Sequence, residues 1–210
     1  MLLEEISAAL QKGNRKAVIS LVQQAIDEGA FARDILEKGL LKGMSIIGEK
    51  FKNNEVYVPE VLIAARAMNA GTELLKPLLV SEGVKATGKV VIGTVKGDQH
   101  DIGKNLVRMM MEGKGLEVID LGVNVSAEAF IHAAMENNAQ IIACSALLTT
   151  TMDEMRRVVE TAKEKGIRNQ VKIMIGGAPV TDSYCKSIGA DAYTPDAATA
   201  ADVAAGYCQA

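Results

Sequence analysis

Up to about residue 80 the apolar positions recur at helical spacing. Leu36, Leu40, Met44, Ile47 and Phe51 form one stripe. Pro59, just after "KNNEVYV", suits the first turn of another helix. Val61, Ala65, Met68 and Leu75 carry one face of that helix up to Pro77. Ile6 and Leu10, then Val18, Val22 and Ile26, predict two further short helices. Helices without strands suggest a small bundle. "VSEGVKATG" (80–88) reads as a linker, with two glycines among small polar residues.

Beyond it the rhythm changes. "KVVIGTV" (89–95), "EVIDLG" (117–122), "IIACSAL" (141–147), "KIMIGG" (172–177) and "AYTPD" (192–196) are short apolar runs. Helical stretches follow them at 101–113, 126–138, 151–165, 181–188 and 197–208. Such alternation predicts a parallel sheet covered on both faces. The expected fold is α/β: an N-terminal helical bundle over 1–87, linker included, then a flavodoxin- or Rossmann-like five-stranded sheet over 88–210.

Composition narrows the function. Of 210 residues, 49% are hydrophobic and the net charge is −3, a globular balance without the basic surplus that nucleic acid needs. Aromatics make up 3% and Trp is absent, which counts against a base-stacking surface. No apolar run reaches membrane-spanning length. "MLLEEISAAL" lacks a basic n-region and a cleavage site. Cys144, Cys185 and Cys208 are an odd set without a CxxC, as expected of reduced thiols in a cytoplasm, with Cys144 in the core.

In an open parallel sheet, ligands bind beyond the carboxyl ends of the strands. The strand exits here are "KGDQHDIG", "GVNVS", "SALLTTT" and "GGAPVTDS". Ser126 is a candidate N-cap, and at least one hydroxyl among Ser145, Thr149, Thr150 and Thr151 is expected to cap the helix at "MDEM". The pair Gly176–Gly177 either admits a bulky ligand or makes a tight turn. His100 stands between Asp98 and Asp101. A carboxylate on one imidazole nitrogen fixes the tautomer and makes the other nitrogen more basic, which suits a metal ligand or a general base. A lone histidine in a turn is more often structural. A metal cluster built by the protein would need more ligands, and the only other histidine, His132, lies mid-helix. Neither GxGxxG nor a Walker A sequence is present. What remains is a cofactor that brings its own metal and needs one protein ligand.

At these residues the sequence resembles a known family. Asp98-x-His100-x-x-Gly103, Ser145-x-Leu147 and Gly176-Gly177 resemble the cobalamin-binding signature DxHxxG…SxL…GG. The "VPEVLIAARAM" stretch of the helical half matches as well. The whole chain is similar to corrinoid proteins of methanol-, methylamine- and betaine-type methyltransferase systems, and to the cobalamin module of methionine synthase. The resemblance implies a cobalamin or related corrinoid held base-off, with His100 as the lower cobalt ligand and Asp98 on the other imidazole nitrogen. Thr151 stands where methionine synthase has the serine of a Ser–Asp–His relay. Ser145, Leu147 and Thr149 would line the slot for the nucleotide tail, with Gly103, Gly176 and Gly177 giving it room. Gln99, Asp101 and Ile102 belong to the same cofactor-binding set. Phe51 and Val58 would cover the upper, methyl-bearing face.

The implied function is a methyl carrier, not a complete enzyme. Co(I) would take a methyl group from a C1 donor (a methylamine, methanol or a quaternary amine) through a substrate-specific methyltransferase. Methyl-Co(III) would pass it through a second methyltransferase to coenzyme M or tetrahydrofolate, and a reductive activation protein would rescue Co(II). The helical half is expected to act as a cap that moves by flexing near 80–88. Two rivals share the signature: a corrinoid-binding sensor, which would need an output domain, and the small subunit of an adenosylcobalamin-dependent mutase, which is not expected to carry the bundle.

Overall fold

The computed structural model describes residues 1–209. The chain divides into two compact units, 1–86 with 113–115, and 87–112 with 116–210. Among the described residues no helix is long and apolar enough to cross a membrane.

The first unit is all-helical: α1 (Leu2–Gln11), α2 (Arg15–Asp27), α3 (Ala32–Asp34), a π-helical segment (Ile35–Leu41), α4 (Lys42–Lys52) and α5 (Val58–Ser81). Ile6, Leu10, Val18, Val22, Leu40, Met44, Ile47, Val61, Ala65, Met68 and Leu75 are buried, so most of the expected stripes form its core. Two stripes shift by a residue. Ala25 is buried where Ile26 was expected, and Ile35 where Leu36 was. The second shift follows from the π turns, whose i→i+5 bonds put more than 3.6 residues into each turn and rotate the apolar face.

Helix α5 does not end at Pro77 but runs through it to Ser81. Pro77 is exposed, so its missing N–H leaves a carbonyl that water can satisfy. The helix closes at Gly83, in the left-handed region at φ +69, where the Val84 amide donates to the Leu79 carbonyl at 3.0 Å. Glu82 accepts from the amides of Ala32 (2.8 Å) and Arg33 (3.1 Å) and so caps α3 from fifty positions away. The first half of the expected linker is thus a helix end and a cap.

The second unit holds β1 (Lys89–Thr94), α6 (Ile102–Glu112), β2 (Glu117–Asp120), α7 (Ala127–Asn137), β3 (Ile141–Ser145), a 3-10 turn (Thr149–Thr151), α8 (Asp153–Glu164), β4 (Lys172–Gly176), α9 (Asp182–Ile188), β5 (Ala192–Tyr193) and α10 (Ala197–Gln209). The strands form one parallel sheet in the order β2-β1-β3-β4-β5, which is the flavodoxin order. Val90 through Thr94 are all buried, as a strand covered on both faces requires. Helix α6 packs beside α10, and α7 beside α8. Phe130 of α7 fills the space over Gly93, where a Cβ would come within 2.8 Å of the ring. Cys144 lies in the core, and burial pushes its thiol up.

Three strands end two or more residues sooner than their apolar runs. β2 stops at Asp120 because the chain bulges at Gly122, φ +80, before it rejoins the extension of β1 in parallel at Val125. β5 stops at Tyr193 because Asp196 caps α10, accepting from the Thr199 amide (2.8 Å) and hydroxyl (2.7 Å). β3 stops at Ser145, and Leu147 and Leu148 turn their amides toward a buried carboxylate of the β1 exit.

Helix α6 is moored to β2 by charge. The Lys104 ammonium, 2% exposed, reaches both Asp120 oxygens at 2.7 Å and the Asn105 side chain at 2.9 Å. Arg108 adds a contact to Asp120 at 3.1 Å, and the Gly122 amide donates to it at 2.9 Å. Burial opposes the charged form of Asp120, but the Lys104 and Gly122 hydrogen bonds and the charges of Lys104 and Arg108 outweigh it and lower its pKa.

Replacing Asp120 by Asn strands a buried ammonium, and should destabilise the protein at pH 7 by about 2–3 kcal/mol, less than a fully buried pair because Asp120 keeps some exposure. A carboxylate with a depressed folded pKa stabilises above its unfolded pKa of about 4 and loses that stability as pH falls through the folded value. The gap between wild type and Asp120→Asn in urea unfolding should therefore narrow between pH 5 and pH 3. Glu82→Ala should cost about 1–2 kcal/mol, read as a lower thermal midpoint of the apoprotein.

Candidate functional site

The order of the strands reverses between β1 and β3, so the crevice of the sheet opens at their carboxyl ends. Thr94 pairs with Ser145, and Ser145 with Gly176, so three strand exits stand level on this edge.

The exit of β1 turns through Gly97, φ +82, and delivers Asp98 inward. Asp98 is fully buried. Its Oδ1 accepts from the His100 amide (3.0 Å) and pairs with the His100 Nδ1 (2.7 Å). Its Oδ2 accepts from the amides of Leu147 (2.8 Å) and Leu148 (3.2 Å) and from the Thr151 hydroxyl (3.0 Å). Burial favours the neutral acid, but the bonds from His100, Leu147 and Thr151 prevail and hold the carboxyl well below the usual carboxylate range.

An anionic Asp98 accepts the proton on Nδ1 of His100, which leaves the lone pair on Nε2. The His100 side chain is 52% exposed, so that nitrogen sits on an open ring. The Thr94 hydroxyl donates to the His100 carbonyl at 2.8 Å and fixes the backbone on the far side of the turn. Asp101 does not share this work. It accepts from Asn105 at 3.0 Å, one helical turn on. Gln99 is exposed.

Around the ring the edge is apolar. Ile102 is 78% exposed, Leu147 44% and Leu148 41%. No neighbour lies within 4 Å of a Cβ added at Gly103 or Gly176, so both border open space. Gly177 does not. At φ +136 its Cβ would overlap the Ala146 carbonyl oxygen, so this glycine lets the exits of β3 and β4 close together, not a ligand in. Ser145 is half-buried at the end of β3, and Thr149 is exposed.

The hydroxyl cap expected for α8 is absent. The chain enters that helix through the 3-10 turn, and Met152, at φ −58 and ψ −35, is already helical. Thr151 is buried and points the other way. Its hydroxyl lies 3.0 Å from Asp98 Oδ2 and 2.9 Å from the Leu148 carbonyl, two acceptors for one proton. The expected cap at Ser126 does form, on the Ala129 amide at 3.3 Å. His132 is on the surface, 79% exposed, 3.7 Å from Glu136.

Phe51, late in α4, and Val58, the first residue of α5, are partly buried within the helical unit. Sequence reasoning passed over Thr94, Leu148 and Asn124. Asn124, at φ +56, takes the Gly97 amide on its side chain at 2.8 Å and donates its own amide to the Asp98 carbonyl at 3.0 Å. The "GVN" spacing, with an asparagine just past a glycine at a strand exit, was the one available signal for it.

Among the described residues, no group of three or more His, Cys, Asp and Glu side chains is placed to hold a metal ion. One oriented imidazole among exposed aliphatic side chains fits a metal that arrives with its equatorial ligands already in a large apolar ring. The donor set thus fits a corrinoid.

Comparison with known proteins agrees. Residues 88–204 match the model of a B12 binding domain, and residues 2–76 match a second model of the same description. The chain is 39% identical over 206 residues to a corrinoid protein of Desulfitobacterium hafniense strain Y51, covering 97% of this chain and 95% of that one. It is 42% identical over 200 residues to dimethylamine corrinoid protein 1 of Methanosarcina acetivorans, covering 95% and 93%. Among solved structures, it aligns with the methanol:cobalamin methyltransferase complex of Methanosarcina barkeri at TM-score 0.89 and 30% identity, over 99% of this chain and 80% of that one. It aligns with a cobalamin-binding protein of Desulfitobacterium hafniense DCB-2 at TM-score 0.80 and 31% identity, over 98% of each. With signature, sheet edge and both matched regions in agreement, the chain belongs to the B12-binding corrinoid proteins.

Proposed function

We propose that this chain is a methyl-carrier subunit, in which the helical half (1–87) caps a corrinoid bound by the sheet half (88–210). The observation that carries the reading is the His100 imidazole, locked through Nδ1 on a buried carboxylate and open at Nε2. A corrinoid supplies a cobalt that takes up a methyl group and gives it away. His100 would provide the lower axial nitrogen, base-off and His-on, and Ile102, Leu147 and Leu148 an apolar seat for the macrocycle. Ser145, Thr149, Gly103 and Gly176 would border the nucleotide tail.

Asp98 holds the proton at Nδ1 and thereby sets how strongly Nε2 can donate. Thr151 can give its hydroxyl proton to Asp98 Oδ2, or turn it to the Leu148 carbonyl and accept from a protonated Asp98 instead. Those two arrangements make Thr151 the third member of a proton relay that ends on His100.

The chain would be loaded by a methyltransferase specific for a C1 donor such as a methylamine, methanol or a quaternary amine. A second methyltransferase would unload it to coenzyme M or tetrahydrofolate, and a reductive activation protein would maintain it. The relatives named for dimethylamine, and the likeness to a methanol:cobalamin methyltransferase complex, support a methyltransferase as the partner.

The test is anaerobic loading with cobalamin. Wild type labelled with nitrogen-15 histidine should give the spectrum of a base-off, histidine-ligated corrinoid, with one nitrogen-15 coupling in the electron paramagnetic resonance of the Co(II) form. His100→Ala should lose that coupling, and retention of it would refute the assignment. Asp98→Asn should weaken cobalamin binding by about 10–100-fold. The loaded chain should be methylated when mixed with a donor-specific methyltransferase and its amine or alcohol. A working form that carries adenosyl instead of methyl would overturn the carrier reading.

A further inference from the structure

The carboxylate of Asp98 is fixed by the β3 exit, but its backbone is fixed by another part of the sheet. The exit of β2 continues in parallel along the extension of β1. The Thr94 amide donates to the Gly122 carbonyl and the Val125 amide to the Thr94 carbonyl, each at 2.9 Å. Val125 then bridges Val95 in parallel. Between these anchors Asn124 reaches the turn itself. Its Oδ1 accepts from the Gly97 amide at 2.8 Å, and its amide donates to the Asp98 carbonyl at 3.0 Å. The two bonds enclose residues 97 and 98, the segment from which the Asp98 side chain departs.

Of the contacts that tie β2's exit to this turn, the Asn124 Oδ1 contact is made by a side chain and the others by backbone. Gly97, at φ +82, is exposed and turns its amide out of the β1 ladder, where the acceptor is a side chain or water. Asn124 supplies one while standing at φ +56, a conformation that asparagine tolerates better than other residues with a Cβ. Its side chain is therefore a point where sequence can tighten or loosen the His100 loop without touching Asp98, His100 or Thr151.

We propose that Asn124 is a positioning residue for the axial histidine: by clamping Gly97 and Asp98 it fixes the direction in which His100 presents Nε2. The proposal rests on His100 as the cobalt ligand. It assigns the β2 exit a part in holding the cofactor that the three-part signature does not contain.

Two variants separate the clamp from general stability. Asn124→Gly keeps the left-handed backbone and removes the acceptor, whereas Asn124→Asp keeps an acceptor oxygen. In the apoprotein, nitrogen-15 NMR should show faster exchange of the Gly97 amide in the Gly variant and near wild-type exchange in the Asp variant. One neutral hydrogen bond is worth about 0.5–1.5 kcal/mol. Loaded with cobalamin, the Gly variant should therefore bind about 3–10-fold more weakly, with a smaller share of the Co(II) signal coupled to the His100 nitrogen. The Asp variant should retain most of both.

Unchanged Gly97 exchange, or full nitrogen coupling and affinity in the Gly variant, would overturn the proposal. So would an equal loss of coupling in both variants. These results are distinct from failure of the underlying reading, in which His100→Ala itself would keep the nitrogen coupling.

Discussion

A carboxylate taken wholly out of water is unstable unless every lone pair finds a donor. Asp98 meets that condition with donors from its own turn and from the β3 exit: three backbone amides, the His100 ring and the Thr151 hydroxyl. The donors remain satisfied only while β1 and β3 end at the same level and their loops fold toward each other. Ser145 therefore ends its strand early, Gly177 has no side chain, and Thr151 turns inward instead of capping α8. The cost of burying one charge becomes geometric precision at the next residue but one, His100.

The same logic explains the division between fixed and open parts of the edge. Backbone and carboxylate are bonded on every side, yet the imidazole, Ile102, Leu147 and Leu148 face outward. Such a contiguous group of exposed aliphatic side chains marks a surface that something apolar covers. Rigid support under an exposed ring is what a metal ligand needs, since a ligand free to rotate would give up part of its binding free energy to ordering.

The helical unit follows different constraints. Its π turns rotate the apolar face midway along one continuous helical stretch, and small residues there, Gly39 and Gly43, let α1 approach closely: an added Cβ would meet Ile6 or Ser7 at 3.1 Å. Glu82 ties the end of α5 to the start of α3. The chain beyond α5 is therefore held to the bundle as far as Val84, whose amide is bonded to Leu79, before it departs for the sheet.

Much of this was legible in the sequence, because the signals are local. Period determines element type, so the alternation of apolar runs and amphipathic stretches predicted five strands and their helices. The glycines and polar residues at the strand exits marked the edge, and Asp98, His100 and the serine and glycine motifs marked the cofactor. The misplacements were local too: a π segment does not announce itself in a 3.6-residue pattern, and a proline near a helix end does not say whether the last turn continues. Only the tertiary structure decided the rest, because it depends on which strand lies beside which. Thr151 faces Asp98, not its own helix, and Gly177 makes room for Ala146, not for a ligand. Asn124 reaches Gly97 across twenty-seven positions because β2 lies beside β1. A sequence fixes what each residue can bond to; which donor meets which acceptor is settled when distant strands come into register and water is excluded between them.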